Sequence, residues 1–108
     1  MLRCKFLPKG EGIELVGTLD KTTVNQLEKF LASCKNGNFK IDMSGLVELQ
    51  REGMRPILMA HKRLKDAGGG IRLVNPTPAI HEMLDREGLL YVLTVVHIEP
   101  DPEAQEQE

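Results

Sequence analysis

The chain has 108 residues, 41% hydrophobic and 28% charged, a composition typical of one globular domain with a single core. Fourteen basic residues against sixteen acidic ones give a formal net charge of -2, which argues against DNA or RNA binding. The amino-terminal segment lacks the apolar stretch of a signal peptide, and no later run is long enough to cross a bilayer. We therefore expect a cytoplasmic protein that does not insert into membranes.

The first strands are predicted to form a hairpin. Leu2, Cys4 and Phe6 alternate with charged residues, as in a strand with one solvated face, and residues 8–12 supply turn chemistry. Residues 13–17 are predicted to return beside this strand. Next comes an amphipathic helix, capped by Thr22 and Thr23 and ended by Asn36 and Gly37, whose apolar residues recur at helical spacing: Val24, Leu27, Phe30, Leu31 and Cys34.

The middle of the chain predicts a strand over residues 39–43 and then a loop running from Ser44 to about Gln50. A second helix should begin between Glu52 and Arg55, because Pro56 is acceptable only in a first turn. Glycine-rich residues 67–70 end this helix, and its apolar face contains Met54, Ile57, Leu58, His61 and Leu64.

The last third predicts a strand over residues 70–75 and a third helix with Thr77 as its cap and Pro78 at its first position. Ile80, Met83 and Leu84 should face inward in that helix. A final strand is predicted over residues 90–96, and a short fourth helix near the carboxyl terminus is left open. Strands alternating with helices indicate an α/β fold: a mixed sheet of about five strands that starts with a hairpin, with about three helices packed on it.

Two segments follow from composition. Residues 1–98 form the predicted domain, and residues 99–108 form an acidic tail that contains no large apolar residue and is predicted to be disordered.

The two cysteines, Cys4 and Cys34, form no CxxC pair, and neither is at metal-ligand spacing from a histidine, which suits a reducing compartment. We interpret both as small hydrophobic residues, and a disulfide between them is the alternative.

The sequence lacks the common motifs of catalysis. The glycines at 68–70 precede a strand and lack the lysine of a P-loop, and no GxGxxG lies between a strand and a helix. Ser33 and Ser44 are outside any nucleophile elbow, and the cysteines carry no nucleophile signature. The three histidines are far apart in sequence. We therefore predict a protein that is not an enzyme and has no metal or cofactor site.

The order of elements and three segments together resemble the STAS domain, the fold of bacterial anti-sigma-factor antagonists. Residues 13–20 are similar to the early strand segment of that family, residues 41–46 to its central strand end, and residues 88–90 to its closing segment. The resemblance spans residues 2–96. It implies a domain that works by binding another protein, either an anti-sigma factor of the serine-kinase type or another regulator.

The sharpest motif of this family, Asp-Ser-Ser/Thr-Gly at the start of the second helix, is altered here. With Gly53 placed on its glycine, Glu52 stands where the family has its phosphoacceptor, so phosphorylation at that position is not expected. Glu52 carries a charge of about -1 against about -1.5 to -2 for phosphoserine, which makes it a partial mimic. A carboxylate at a helix amino terminus is also favoured without any regulatory role.

The resemblance implies a partner-binding surface formed by the second helix, the loop before it and the adjacent strand end. Arg51, Arg55 and Lys62 would form a basic stripe there, although solvation explains such a stripe more simply. An alternative function is an accessory STAS subunit of a phospholipid-type ABC transporter, acting on its ATPase, and a further one is a small-molecule or nucleotide sensor. The predicted partner-binding residues are Asp42, Ser44, Gln50, Arg51, Glu52, Gly53 and Arg55.

Overall fold

The computed structural model describes residues 1–33 and 37–98. A five-stranded sheet has its strands in the order of the sequence, β1 to β5. β1 pairs with β2 in antiparallel orientation, and the remaining neighbours pair in parallel. The predicted mixed sheet with an opening hairpin is confirmed. The strands are β1 (Leu2–Phe6), β2 (Gly12–Leu19), β3 (Asn38–Leu49), β4 (Gly70–Val74) and β5 (Thr94–Val96).

Three helices connect the parallel strands: α1 (Val24–Leu31), α2 (Arg51–Asp66) and α3 (Pro78–Arg86). Each connection steps to the next strand in the same direction, so a common crossover hand places all three helices on one face of the sheet. The burial pattern agrees, because Ile13, Ile41 and Leu73 are fully buried while their chain neighbours Glu14, Lys40 and Arg72 are partly or fully exposed. The core therefore lies between one face of the sheet and the helices.

The start of α1 differs from the predicted capping. Thr23 occupies the capping position, but no side-chain capping bond forms there. Its hydroxyl instead donates to the carbonyl of Thr18 at 2.9 Å and accepts from the amide of Asp20 at 3.0 Å. The threonine thus holds the turn between β2 and α1. α1 ends at Leu31 with Ala32 as its carboxyl-terminal cap, before the predicted end at Asn36 and Gly37. Cys34 and Asn36 themselves lie outside the described residues.

The predicted loop over residues 44–50 is wrong, because β3 continues as a strand to Leu49. β2 runs beside it to the end, with Gly17 opposite Leu46 and Leu19 opposite Leu49. A register shift leaves Val47 without an opposing residue and 73% exposed. Since this extra residue separates the buried Leu46 and Leu49 by three positions instead of two, the alternation that identifies a strand is broken.

The prediction for the start of α2 is also wrong, because the helix begins at Arg51 and Pro56 lies inside it, beyond the first turn. Pro56 removes one intrahelical hydrogen bond, the one that its amide would make to the carbonyl of residue 52. Burial of Met54, Ile57 and Leu64 against the sheet outweighs this local cost. The carboxyl end of α2 agrees with the prediction.

The glycines after α2 form a Schellman motif. Gly68 has a φ of +90°, in the left-handed region, and its amide donates to the carbonyl of Lys65 at 3.0 Å. The amide of Gly69 donates to the carbonyl of Leu64 at 2.8 Å. These two bonds satisfy carbonyls that the end of a helix leaves open.

The last strand is shorter than the predicted 90–96. A single 3-10 turn, Leu89–Tyr91, comes first, and only Thr94–Val96 pairs with β4. The amide of Leu93 donates to the carbonyl of Leu89, and both side chains are buried. The periodicity of a short apolar run does not distinguish a strand from a helix, and the prediction of a strand over all of residues 90–96 is wrong. α3 starts as predicted, with the Thr77 hydroxyl accepting from the amide of Ile80.

Cys4 is half-buried, as expected of a small hydrophobic residue, and burial raises the pKa of its thiol. Cys34 and the tail from residue 99 lie outside the described residues, so the predicted disorder of the tail and the disulfide alternative are not addressed by the structure.

Candidate protein-docking site

The β3–α2 junction carries five of the seven predicted partner-binding residues. Gln50 has an extended backbone, with φ −102° and ψ 160°, and its amide donates to the carbonyl of Leu19 at 2.9 Å. The hydrogen-bonding of β3 to β2 therefore continues up to the residue before α2. We define the α2 N-terminal surface as the exposed residues Gln50, Arg51, Glu52 and Arg55 together with Glu87, the residue that follows α3.

Position 53, in the first turn of α2, has no room for a side chain. A Cβ atom at this position would lie 2.5 Å from Cγ of Leu19 and 3.1 Å from its carbonyl oxygen. Leu19 is fully buried, so it has little freedom to move aside. The glycine of the altered family motif thus lets α2 pack directly on the end of β2, and its role is structural.

Arg51 is held by Glu87, which is at the end of α3. Its Nη2 atom donates to Oε1 of Glu87 at 3.1 Å, although the Arg51 side chain is 79% exposed. This hydrogen bond, the charge of Glu87 and the neighbouring charge of Glu52 raise the pKa of Arg51. The pair joins α2 to α3 and neutralises Arg51, so the predicted basic stripe is interrupted at its first member.

Glu52 and Arg55 are the charges that this surface leaves unpaired. Both are exposed, and neither forms an ion pair or side-chain hydrogen bond with any residue in the described parts of the chain. Glu52 lies in the first turn of α2, where backbone amides point outward and the helix dipole favours an anion. Besides the Arg51–Glu87 pair, the surface therefore presents one unpaired carboxylate and one unpaired guanidinium to solvent.

Asp42 and Ser44 lie apart from this surface. Ser44 precedes Gln50 by six residues of β3, which corresponds to up to about 20 Å along an extended strand. The Oδ1 atom of Asp42 accepts from the Ser44 amide at 2.9 Å where the β2–β3 register shifts. The contact supplies a partner for that amide at the β-bulge.

A small cavity of about 180 Å³ lies between α2 and α3, beside the α2 N-terminal surface. Four apolar and three charged side chains line it. The lining consists of Arg51, Met54, Arg55, Leu58, Met83, Glu87 and Leu89. The volume of this cavity is comparable to that of one large side chain.

Glu87 and Asp20 belong to this region but were not predicted from the sequence. Glu87 follows a different helix, 36 residues after Arg51, so no local spacing indicates the pair. Asp20 follows β2 directly beside Gln50, and its Oδ1 atom accepts from the hydroxyl of Thr22 at 2.6 Å and from its amide at 2.8 Å. These bonds lower the pKa of Asp20 below its ordinary value of 3.8. The Asp-x-Thr spacing of this turn is the signal that could have identified it.

Within residues 1–33 and 37–98, no three His, Cys, Asp or Glu side chains are grouped closely enough to hold a metal ion. None of the helices in these segments has the length and apolar character needed to cross a membrane.

The sequence matches the family model described as "Mlab, STAS domain" over residues 5–94. This match covers most of the chain, and the sheet order, the hairpin and the helix connections follow the same architecture. The chain therefore belongs to the STAS domain family, as the resemblance of its motifs predicted. No curated protein sequence matches it with significance.

Solved structures of anti-sigma factor antagonists share the fold. One from Mycobacterium paratuberculosis has 16% identity and a TM-score of 0.77, covering 99% of this chain and 92% of that one. The Bacillus cell fate determinant SpoIIAA in its phosphorylated form has 17% identity and a TM-score of 0.66, covering 99% and 98%. The unphosphorylated form of SpoIIAA has 16% identity and a TM-score of 0.66, and the match covers 99% of this chain and 96% of that one. Such low identities establish the fold alone.

Proposed function

We propose that this STAS domain is a non-enzymatic docking module of the anti-sigma-factor antagonist type, which binds its partner through the α2 N-terminal surface. The exposed, unpaired Glu52 on the first turn of α2 is the observation that supports this proposal. A small cavity beside this surface is lined by apolar side chains together with Arg51, Arg55 and Glu87, a combination suited to an interface with an apolar centre and a charged rim.

Phosphorylation at the family position is not part of this proposal, because Glu52 has no hydroxyl. Incubation with an anti-sigma kinase and ATP, followed by intact-mass measurement, should leave the mass unchanged. A phosphate mapped to Ser44 or Thr22, which are both exposed, would contradict an unswitched domain and would move the regulation to a different place.

A second candidate function is an accessory subunit that acts on the ATPase of a phospholipid-type ABC transporter. The same residue favours it, since a permanent carboxylate fits an assembly that needs no kinase switch. In this case the partner interface has evolved around the negative charge of Glu52. In an anti-sigma interface, a negative charge at that position opposes docking.

The substitution Glu52→Ser distinguishes these two functions. A pull-down from native lysate identifies the partner, and isothermal titration then compares the variant with the unmodified protein. Tighter binding by Glu52→Ser supports the anti-sigma type, and weaker binding supports the transporter type. Asp66→Ser is the matched control, because it removes the same charge from an exposed position at the opposite end of α2. Unchanged affinity for both variants would place the interface elsewhere.

A further inference from the structure

A pocket of about 250 Å³ lies at the other end of α2, where β4 begins. Arg51 and Lys65 are separated by about 20 Å along the helix, so this pocket is distinct from the α2 N-terminal surface. Two members of the glycine run that ends α2, Gly69 and Gly70, contribute to its wall. The side chains of interest in the lining are Asn38, His61, Lys65, Arg72 and Thr94. We call it the glycine-edge pocket.

His61 presents a hydrogen-bond donor in this pocket. Its Nδ1 atom accepts from the amide of Ile71 at 3.0 Å, so a neutral ring carries its proton on Nε2. The ring lies against Gly70, where a Cβ atom would be 3.2 Å from Cε1 of His61. Nε2 makes no hydrogen bond to any residue in the described segments. The backbone of β4 therefore fixes the ring and leaves an N–H group available.

Two positively charged side chains line the glycine-edge pocket together with His61. Lys65 follows His61 by one turn on α2, and Arg72 comes from β4. Within the described segments, neither forms an ion pair with a carboxylate, and no Asp or Glu lines the pocket. Asn38 and Thr94 add an amide and a hydroxyl. The lining thus contains two cations together with an imidazole, an amide and a hydroxyl group.

The position at a helix carboxyl end would by itself disfavour an anion, because carbonyl oxygens point outward there. Here the carbonyls of Leu64 and Lys65 already accept hydrogen bonds from the amides of residues 67–69. Because the Schellman motif satisfies these carbonyl oxygens, their repulsion of an anion in the pocket is much reduced.

We propose that the glycine-edge pocket binds a phosphate-type oxyanion, either free or as part of a larger molecule. Lys65 and Arg72 neutralise the charge, and Nε2 of His61 donates a directional hydrogen bond, as these side chains commonly do toward phosphate oxygens. Gly70 serves this site by allowing the start of β4 to pass close to the His61 ring.

The test is a titration of the ¹⁵N-labelled protein with sodium phosphate at pH 7 and constant ionic strength, followed by amide chemical shifts. Saturable shifts are expected at Gly69, Gly70, Ile71 and Thr94. Lys65→Gln and Arg72→Gln should each weaken binding about tenfold, as the loss of one charge-assisted hydrogen bond does. Both side chains are exposed, so thermal melts should confirm that the variants fold.

Lys62→Gln is the matched control, because Lys62 is an exposed lysine of α2 outside the pocket. An equal loss of affinity in this variant, or shifts that do not saturate, would overturn the proposal in favour of general charge screening. Parallel titrations with adenosine monophosphate and with phosphatidylglycerol vesicles, against phosphatidylcholine vesicles, distinguish the source of the phosphate. Tighter binding of either one identifies a nucleotide or a lipid headgroup, and no response to any of the three overturns the site.

Discussion

Asn75 holds the backbone of Ile98 with its side-chain amide. Its Nδ2 atom donates to the Ile98 carbonyl at 2.9 Å, and its Oδ1 atom accepts from the Ile98 amide at 2.6 Å. The backbone of Asn75 has a φ of +52°, a left-handed conformation that asparagine tolerates better than most residues. The side chain thereby extends the β4–β5 pairing by one step after β4 has ended at Val74.

Replacing Asn75 with alanine should lower the free energy of unfolding by about 1–2 kcal/mol, because two hydrogen bonds are lost and a left-handed alanine is strained. Urea unfolding followed by circular dichroism measures this. Asn75→Gly relieves the strain but not the lost hydrogen bonds, so it should fall between the alanine variant and the unmodified protein. Alanine at the exposed Asn25 of α1 is the control, and an equal loss there would refute the assigned role.

Gly53→Ala should destabilise the protein by about 1–3 kcal/mol, because the new methyl group would overlap Leu19 in a closely packed region. Helix propensity alone predicts the opposite sign, since alanine is the better helix former. Chemical denaturation decides between the two effects. Lys62→Ala on the exposed face of the same helix provides the baseline, and a Gly53→Ala variant as stable as that control would contradict the packing argument.

Asp20 should contribute to acid sensitivity. Its hydrogen bonds from Thr22 lower the pKa of the folded state, so the stabilisation is present at neutral pH. It is lost as the pH falls from the ordinary value of 3.8 through the lowered folded pKa. Melting temperatures measured from pH 7 to pH 2 should therefore decline less steeply for Asp20→Asn than for the unmodified protein. Parallel curves would exclude Asp20 as a contributor, and Asp66→Asn serves as the exposed comparison.

The acidic tail is predicted to contribute little to stability. A chain that ends at residue 100 keeps the peptide bond after Ile98, whose carbonyl is bonded to Asn75. Its melting temperature should match that of the full chain, because residues 101–108 have no large apolar side chain to bury. A decrease of several degrees would show that the tail packs against the domain.

The structure brings together only some of the residues predicted to bind a partner. Residues close in sequence, from Gln50 to Arg55, form one helix end because local chain geometry requires it. Asp42 and Ser44 were grouped with them on the expectation of a loop, and the extended β3 separates the two sets. The Arg51–Glu87 pair and the contact between Gly53 and Leu19 connect residues that are more than 30 positions apart, and no local pattern contains that information.

The sequence by itself determined the α/β class, the opening hairpin, the three helices and the glycine end of α2, because periodic burial and turn residues act over a few positions. Only the tertiary structure decided the length of β3, the start of α2 around Pro56 and the shortening of β5. In each case the packing of one element on another outweighed a local preference, since burial of leucine side chains against a neighbouring strand or helix contributes more than propensity does.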